Sequence, residues 1–161
     1  IRSCLVGSEM CIRDRGKIVV YNNAHYGNVN ALLSEGRGTT MGDGWETRRR
    51  RVPGNDFIII ELGTPGLISN VEIDTCHFKG NFPDRASIQT IDLINEKDKM
   101  KAFEASNNWE FFLGEKKCKA DTIHKFEKND FLHEKIVSHL RLNIYPDGGV
   151  SRFRIFGQPV R

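Results

Sequence analysis

The sequence contains no apolar run near the roughly 20 residues that a membrane span requires, and no clean signal peptide opens it. Its four cysteines form no CxxC pair, which argues against a zinc site and favours free thiols in a reducing compartment. The sequence also lacks the metal-binding patterns HxH and HExxH. It therefore requires no cofactor, and it leaves binding of a divalent metal as an open alternative. The formal net charge of +3 is too small to indicate a nucleic-acid partner. These absences leave a globular cytoplasmic protein as the expectation.

The first fifteen residues look foreign to the rest of the chain. Residues 5–14 read LVGSEMCIRD, which resembles the translation of a transposon adapter used in making sequencing libraries. On this interpretation residues 1–15 carry no evolved fold information. Residues 16–161 then form a single domain, which is an ordinary size for one hydrophobic core.

Short alternating or β-branched runs separated by turn residues indicate an all-β protein. Strands are predicted at residues 17–21, 56–62, 67–75, 86–93, 109–113, 122–126, 136–145 and 151–156. A helical turn is predicted at residues 29–33, and a helix or crossover at 97–108. Turns are predicted at residues 63–66 and, as a β-hairpin, at 146–149. About eight such strands predict an antiparallel β-sandwich or jelly roll.

The most informative run is residues 41–51, which read MGDGWETRRRR. Its two glycines permit a sharp turn, which Asp43 can cap. Trp45 can plug the end of the sandwich, the commoner role for an indole, or face a ligand. Glu46 is a candidate general acid or base, with a salt bridge to a neighbouring arginine as the alternative. Such a loop could surround a small anionic ligand.

Four consecutive arginines close this run. A guanidinium can grip a carboxylate through two parallel hydrogen bonds, so Arg48 and Arg49 are candidate anion ligands. In an extended segment Arg48 and Arg50 would face one side and Arg49 and Arg51 the other. At most half of the cluster is therefore expected to serve one pocket.

A second run, residues 74–84, reads DTCHFKGNFPD. Asp74 falls at a predicted strand end, and His77 follows three residues later. The imidazole can move protons near neutral pH or bind a metal, although a lone histidine is more often structural. Asn81 lies in a predicted tight turn that would bring its amide close to a ligand. The clustering of these three side chains favours a functional role.

A third run, residues 145–157, reads YPDGGVSRFRIFG. Arg152 and Arg154 share one face of a predicted strand, while Phe153 and Ile155 share the other. Buried arginines need partners, so two on one face indicate an anion or carboxylates opposite. Together the three runs place acids, bases and cations in turns at strand ends, where such folds build ligand sites.

In their order along the chain and in their residues, these three runs resemble one repeat of the allantoicase family. The resemblance covers about residues 16–157 and is carried by GRGTTMGDGWETRRRR, VEIDTCHFKGNFPD and YPDGGVSRFRIFG. It implies a jelly-roll sandwich of the galactose-binding-domain-like class and a hydrolase that cleaves allantoate to ureidoglycolate and urea in allantoin and purine breakdown. Family members usually carry two repeats, and this chain most resembles the C-terminal one. A fragment is therefore expected, with the second repeat and further copies of the protein as partners.

The resemblance gives the candidate residues a substrate with one carboxylate and two ureido groups. Arg48 or a neighbour would bind the carboxylate, and Asn81 and Asp74 could hold ureido nitrogens. Glu46 or His77 would be the acid or base that helps to expel urea. The remaining predicted substrate-binding residues are Asp43, Trp45, Arg49 and Arg152.

Two other functions compete with this hypothesis. A non-catalytic jelly-roll module could bind a carbohydrate or another small polar ligand, but it would need aromatic stacking platforms, and only Trp45 lies in a predicted loop. A nucleic-acid patch at the arginine run has poor support in a nearly neutral chain. Release of urea from allantoate separates the enzyme from both.

Overall fold

The computed structural model describes the backbone of residues 3–6 and the complete residues 16–160. Most of the segment predicted to be foreign, residues 1–15, thus lies outside the described residues, and its origin stays a prediction. The described strands are β1 (Ser3–Val6), β2 (Lys17–Tyr21), β3 (Trp45–Glu46), β4 (Asp56–Asp74), β5 (Arg85–Ile91), β6 (Glu110–Lys117), β7 (Ile123–Glu127), β8 (Val137–Tyr145), β9 (Gly149–Val150) and β10 (Arg152–Pro159). The α-helix α1 spans Lys99–Glu104, and 3-10 turns span Val29–Leu33, Ser106–Asn108 and Lys128–Asp130.

The strands form two antiparallel layers that share β4. In the first layer β2, the first half of β4, β8, β5 and β6 follow one another. The strand order in the second layer is β1, β10, the second half of β4 and then β7. Apolar side chains of both layers meet in one core, including the fully buried Leu140, Leu142, Ile144, Phe153 and Ile155. The prediction of an all-β antiparallel jelly-roll sandwich is confirmed.

One strand, β4, runs through the glycine-rich segment that was predicted to be a turn. It is 19 residues long, and its pairing with β8 shifts register between Glu61 and Gly66. At Gly66 the backbone passes β10 so closely that a Cβ atom would lie 2.5 Å from the Gln158 carbonyl oxygen. The predicted break at residues 63–66 is wrong, because the glycines let one strand cross from the first layer to the second without ending.

The predicted hairpin at residues 146–149 is also wrong. The strands on either side, β8 and β10, do not pair with each other, because β4 lies between them. Instead the chain crosses between the layers and forms β9, which pairs with β3 through Trp45–Val150 and Glu46–Gly149. The composition of residues 146–149 is typical of a turn, but the arrangement of the two layers determines which strands lie beside this segment.

A short helical segment covers the outer face of the first layer. There α1 lies within the predicted residues 97–108, and Asp98 caps it by accepting a hydrogen bond of 3.1 Å from the Lys101 amide. Phe103 and Trp109 pack on Ile59 of β4 in a second apolar cluster. None of the helices in the described part of the chain is long and apolar enough to cross a membrane.

Candidate functional site

The three sequence runs meet at the end of the sandwich where β4 and β8 finish and β10 begins. Main-chain hydrogen bonds join them: Thr47 N donates to Gly148 O over 2.9 Å, and Gly149 N donates to Asn81 O over 2.9 Å. Ser151 N donates to Asp74 O over 2.7 Å. We call this region the loop end. Gly149 is required there, because a Cβ atom would lie 2.0 Å from the ring of Phe78.

Glu46 is held at the loop end by an amide rather than by an arginine. Its Oε1 accepts a hydrogen bond of 2.5 Å from Asn81 Nδ2. The other oxygen, Oε2, has no hydrogen-bond partner among the described residues. The side chain is half-buried, and its main-chain oxygen accepts from His25 N over 2.8 Å. A carboxylate fixed by a neutral donor, with one oxygen to spare, can accept or deliver a proton.

Asp43 and Arg152, both predicted to bind substrate, bind each other. Arg152 Nη2 donates to Asp43 Oδ2 and Nη1 donates to Asp43 O, each over 2.8 Å. Thr39 N donates to the same Oδ2 over 3.1 Å. The Arg152 hydrogen bond, followed by that of Thr39, holds the pKa of Asp43 below its ordinary value. Asp43 is thus the carboxylate that the buried Arg152 was expected to need.

Asp74 is fully engaged with protein groups. Arg37 donates from Nε to Oδ2 over 3.1 Å and from Nη2 to Oδ1 over 3.0 Å, and Cys76 N donates to Oδ1 over 2.9 Å. This hydrogen bonding with Asp74 raises the pKa of Arg37. The Asp74 side chain is 1% exposed, which leaves no oxygen for a ligand in this conformation. Sequence reasoning missed Arg37, whose only signal is its place between two glycines ahead of the arginine run.

His77 adopts a left-handed backbone conformation with φ of 70°. Its amide donates to Asp121 Oδ1 over 2.8 Å, which holds the pKa of Asp121 below its ordinary value. Its Nε2 lies 2.7 Å from Gly38 O, and a carbonyl accepts only from an N–H, so Nε2 carries the proton. Nδ1 has no hydrogen-bond partner in the described part of the chain. The ring is therefore oriented, with one nitrogen available.

These contacts fasten one loop at three successive residues. Arg37 binds Asp74, Gly38 accepts from His77, and Thr39 donates to Asp43. We call residues 36–40 the Arg37 loop. These attachments bring Asp74, His77 and Asp43 close together, although Asp74 and Asp43 are bonded to protein groups rather than free to bind one ligand.

Trp45 lies in the core and is 0% exposed. Its Nε1 donates to Asn23 O over 2.9 Å, which satisfies the buried indole. The side chain offers no surface to a ligand in this structure. Of the two roles considered for Trp45, the observed position is that of the plug.

The arginine run borders a shallow depression of about 510 Å³, which it shares with Asn23 and His25. All four arginines contribute to its lining, so the division of the run between two faces is wrong. The reason is that β3 ends at Glu46 and the following backbone is not a strand. Arg50 is half-buried, with Nη1 3.6 Å from Asp56 Oδ1, and its amide donates to Asp147 Oδ2 over 2.8 Å.

The other three arginines of the run, Arg48, Arg49 and Arg51, are exposed. None of them forms an ion pair with a described residue. Arg48 is placed by its main chain, because its amide donates to Asn23 Oδ1 over 2.8 Å. Asp56, which pairs with Arg50, also lines the depression, whereas Arg48, Arg49 and Arg51 present cations that no described carboxylate occupies, as an anion site requires.

Metal-binding side chains are dispersed in the described residues: no three of His, Cys, Asp or Glu lie together in a group that could hold an ion. Two cysteines, Cys76 and Cys118, are free and buried. Burial raises the pKa of both thiols, that of Cys118 to about 11. These thiols are therefore protonated at neutral pH and poor metal ligands.

Comparison with known proteins gives a consistent result. The family model of the allantoicase repeat matches residues 10–160. A probable allantoicase of Rhizobium meliloti is 44% identical over 160 residues, which are 98% of this chain and 44% of the relative. A probable allantoicase 2 of Burkholderia pseudomallei is 48% identical over 147 residues, 91% of this chain and 43% of the relative.

The crystal structure of allantoicase from Saccharomyces cerevisiae superposes with a TM-score of 0.79 at 32% identity. The match covers 98% of this chain and 43% of the yeast chain. The chain thus spans less than half the length of the relatives that it matches. On its sequence and its fold alike, this chain belongs to the allantoicase family.

Proposed function

We propose that this chain is part of an enzyme that hydrolyses allantoate to ureidoglycolate and urea. The observation that carries the proposal is the half-buried Glu46, held by Asn81 and placed beside a depression lined by arginines. His25 links the two, because it is bonded to the Glu46 main chain and lines the depression. Membership in the allantoicase family supports the choice of substrate.

The substrate carries one carboxylate and two ureido groups on the same carbon. Arg48, Arg49 and Arg51 have exposed guanidinium groups that form no ion pair with a described residue. These groups supply the donors that a carboxylate takes through two parallel hydrogen bonds. A depression of about 510 Å³ has the size of a small-molecule site. We assign the carboxylate of allantoate to this depression, with Arg48 or Arg49 as its principal ligand.

The reaction exchanges a carbon–nitrogen bond for a carbon–oxygen bond. One ureido group leaves as urea when its nitrogen gains a proton, and the oxygen of a water molecule bonds to the same carbon. The second proton of that water returns to the base, so one water is consumed and charge is conserved. In this proposal Glu46 Oε2 handles the proton while Asn81 fixes Oε1. His77, whose Nδ1 is available, is the alternative acid or base.

The paired residues then position the site. Asp43 and Arg152 hold the loop that leads to Glu46, and Asp74 acts through Arg37 on the Arg37 loop. Asp74 was predicted to be catalytic, and the proposal now gives it a positioning role. The relatives carry additional sequence beyond the matched region, which supports an active protein with a second repeat. Assembly of further copies into an oligomer is a separate part of the proposal.

The direct experiment measures urea release from allantoate. It is run on the 161-residue chain and on this chain combined with the additional region of its relatives. Loss of the acid–base group in Glu46→Gln should lower turnover by about 10²–10⁴-fold, because a positioned proton donor contributes that much. Glu134→Gln removes an exposed carboxylate whose one ion-pair partner among the described residues is Lys128, and it should leave turnover unchanged.

Different outcomes separate the parts of the proposal. No urea from either protein would refute the allantoate reaction, and binding without urea release would favour a non-catalytic module. Urea release only in the combined protein would show that the site needs both repeats. Near-normal turnover in both Glu46→Gln and His77→Ala would refute the assignment of the acid or base.

A further inference from the structure

A second arginine site lies away from the loop end, on the outer face of the first layer. Arg141 belongs to β8, where Leu140 and Leu142 on either side of it point into the core. Its own side chain points the opposite way, toward α1 and the 3-10 turn Ser106–Asn108, and is only 8% exposed. The cation is thus buried outside the main core.

The partners of Arg141 are neutral. Nε donates to Asn143 Oδ1 over 2.8 Å and Nη1 donates to Ser106 Oγ over 2.6 Å, while the guanidinium carbon lies 3.8 Å from the centre of the Phe57 ring. No described carboxylate forms an ion pair with it. Burial lowers the pKa of Arg141, yet a guanidinium stays protonated in proteins. A positive charge is therefore buried without a counter-charge, which is costly.

A polar network keeps this guanidinium in place. Asn143 Oδ1 also accepts from Asn55 Nδ2 over 3.2 Å, and Asn143 Nδ2 donates to Gln89 Oε1 over 3.0 Å. Gln89 Nε2 in turn donates to the carbonyl of Asn107 over 2.9 Å, which ties the network to the covering turn. Because Nε and Nη1 are fixed in this way, Arg141 is oriented before any ligand arrives.

The third nitrogen of Arg141, Nη2, has no hydrogen-bond partner in the described residues. Arg141 borders a cavity of about 430 Å³ whose apolar walls include Val20, Met100 and Phe103. Ser106 and Asn107 add polar groups to the lining, and Glu104 is the one carboxylate among its described residues. Glu104 is exposed and forms no ion pair with Arg141.

We propose that this cavity binds a small monocarboxylate with a flat apolar body. The carboxylate would take Arg141 Nη2 and the Ser106 hydroxyl, and the body would pack on Met100 and Phe103. Glu104 in the lining disfavours a phosphate or another multiply charged anion, since like charges repel across the opening. The site shares no lining residue with the arginine depression and is independent of the reaction proposed above.

The test compares benzoate with benzamide, which has the same shape without the charge. Both are titrated into the 161-residue chain while the Arg141 Nε–H resonance is followed by NMR. Benzoate should shift it saturably and bind at least about tenfold more tightly than benzamide, because hydrogen bonds between charged groups are stronger than neutral ones. Equal affinity for the two compounds would overturn the proposal.

Three variants locate the binding. Arg141→Met should abolish the preference for benzoate. Met100→Trp should fill the cavity and weaken benzoate binding about tenfold without touching the cation, so that the test does not depend on how Arg141→Met folds. Glu104→Gln should tighten benzoate binding about twofold to fivefold and leave benzamide unchanged. Unaltered benzoate binding in both Met100→Trp and Glu104→Gln would refute this location.

Discussion

Arg152 at the loop end and Arg141 on the outer face are both more than nine-tenths buried, at 3% and 8% exposure. Arg152 binds the carboxylate of Asp43. The partners of Arg141 in the described part of the chain are the neutral groups of Asn143 and Ser106 and the ring of Phe57. The positive charge of Arg152 is thus balanced by a carboxylate of the same chain. Arg141 holds a charge that the described residues do not balance.

The difference teaches what each arginine can do. A guanidinium that already grips a carboxylate stabilises its loops and has little left for a ligand. A guanidinium held by neutral acceptors has a positive charge that remains uncompensated and can bind an incoming anion. It contributes less to stability, because the cost of its desolvation is not offset by an ion pair. Four predictions compare the loop end with the outer face, in order of decreasing effect.

The largest effect is expected for Asp43→Ala. It leaves the buried Arg152 without its counter-charge and should lower the free energy of unfolding by about 3 kcal/mol, measured by urea denaturation at pH 7. Asp92→Ala, which removes an exposed aspartate that caps Ile94 N, is the matched control and should cost less than about 1 kcal/mol. Equal losses in the two variants would contradict the importance of the Asp43–Arg152 pair.

The second prediction concerns acid. The pKa of Asp43 is lowered below its ordinary 3.8 in the folded protein, so the unfolded chain binds this proton first. The stabilisation from Asp43 is therefore complete above about pH 3.8 and is lost as the pH falls through the folded-state pKa. Urea midpoints of wild type and Asp43→Asn should converge between pH 5 and pH 2. A constant difference over that range would show that Asp43 does not titrate in this way.

The third prediction places a separate pH response on the outer face. His139 is 2% exposed, and burial lowers its pKa below the ordinary 6.5, against the opposing effect of Glu61. Lys99 and Asp92 are the other charged groups that act on it. The unfolded state therefore gains a proton first, so stability is full above pH 6.5 and falls below it.

This response should be smaller than the effect of Asp43→Ala. His139→Gln should reduce the slope of the urea midpoints between pH 7 and pH 5.5. The part that remains belongs to His133, whose pKa burial also lowers. His25→Gln alters an exposed histidine and serves as the control. An identical slope in His139→Gln and wild type would assign the response to another group.

The smallest effect is expected for Arg141→Met. Removal of a buried charge that lacks a counter-charge should change the free energy of unfolding by less than about 1 kcal/mol, in either direction. Arg152→Met, which orphans Asp43, should cost about 2 kcal/mol. Urea denaturation of both variants under one condition measures the contrast directly. Equal costs would mean that neutral partners serve a buried guanidinium as well as a carboxylate does.

Much of the fold was predictable because alternation of apolar residues marks a two-sided strand. The alternation of Leu140, Leu142 and Ile144 is sufficient to predict β8 and its core face from the sequence. The same alternation put Arg141 on the other face, where a strand residue is normally solvated. Its burial depends on α1 and the turn at Ser106–Asn108, and no local pattern specifies where a short helix will dock.

At the loop end the sequence singled out three runs, which the structure brings together, but it did not predict how their side chains pair. Asp43 and Arg152 are 109 positions apart, Glu46 and Asn81 are 35 apart, and Arg37 and Asp74 are 37 apart. The fold brings such partners together where the chain crosses between the layers, so the residues that neighbour them in sequence do not specify the pairing. Asp74 was accordingly predicted as a catalytic group, while Arg37, which occupies it, was missed.

The uninterrupted course of β4 has a consequence for how the domain opens. Its first half hydrogen-bonds to β8 and its second half to β10, so one backbone belongs to both layers. Neither layer can separate without disturbing the strand that the other also uses. Amides in β8 and β10 should therefore exchange with deuterium through one shared, global opening. The loop end and the outer face, however different in charge, would then lose their structure in the same cooperative event.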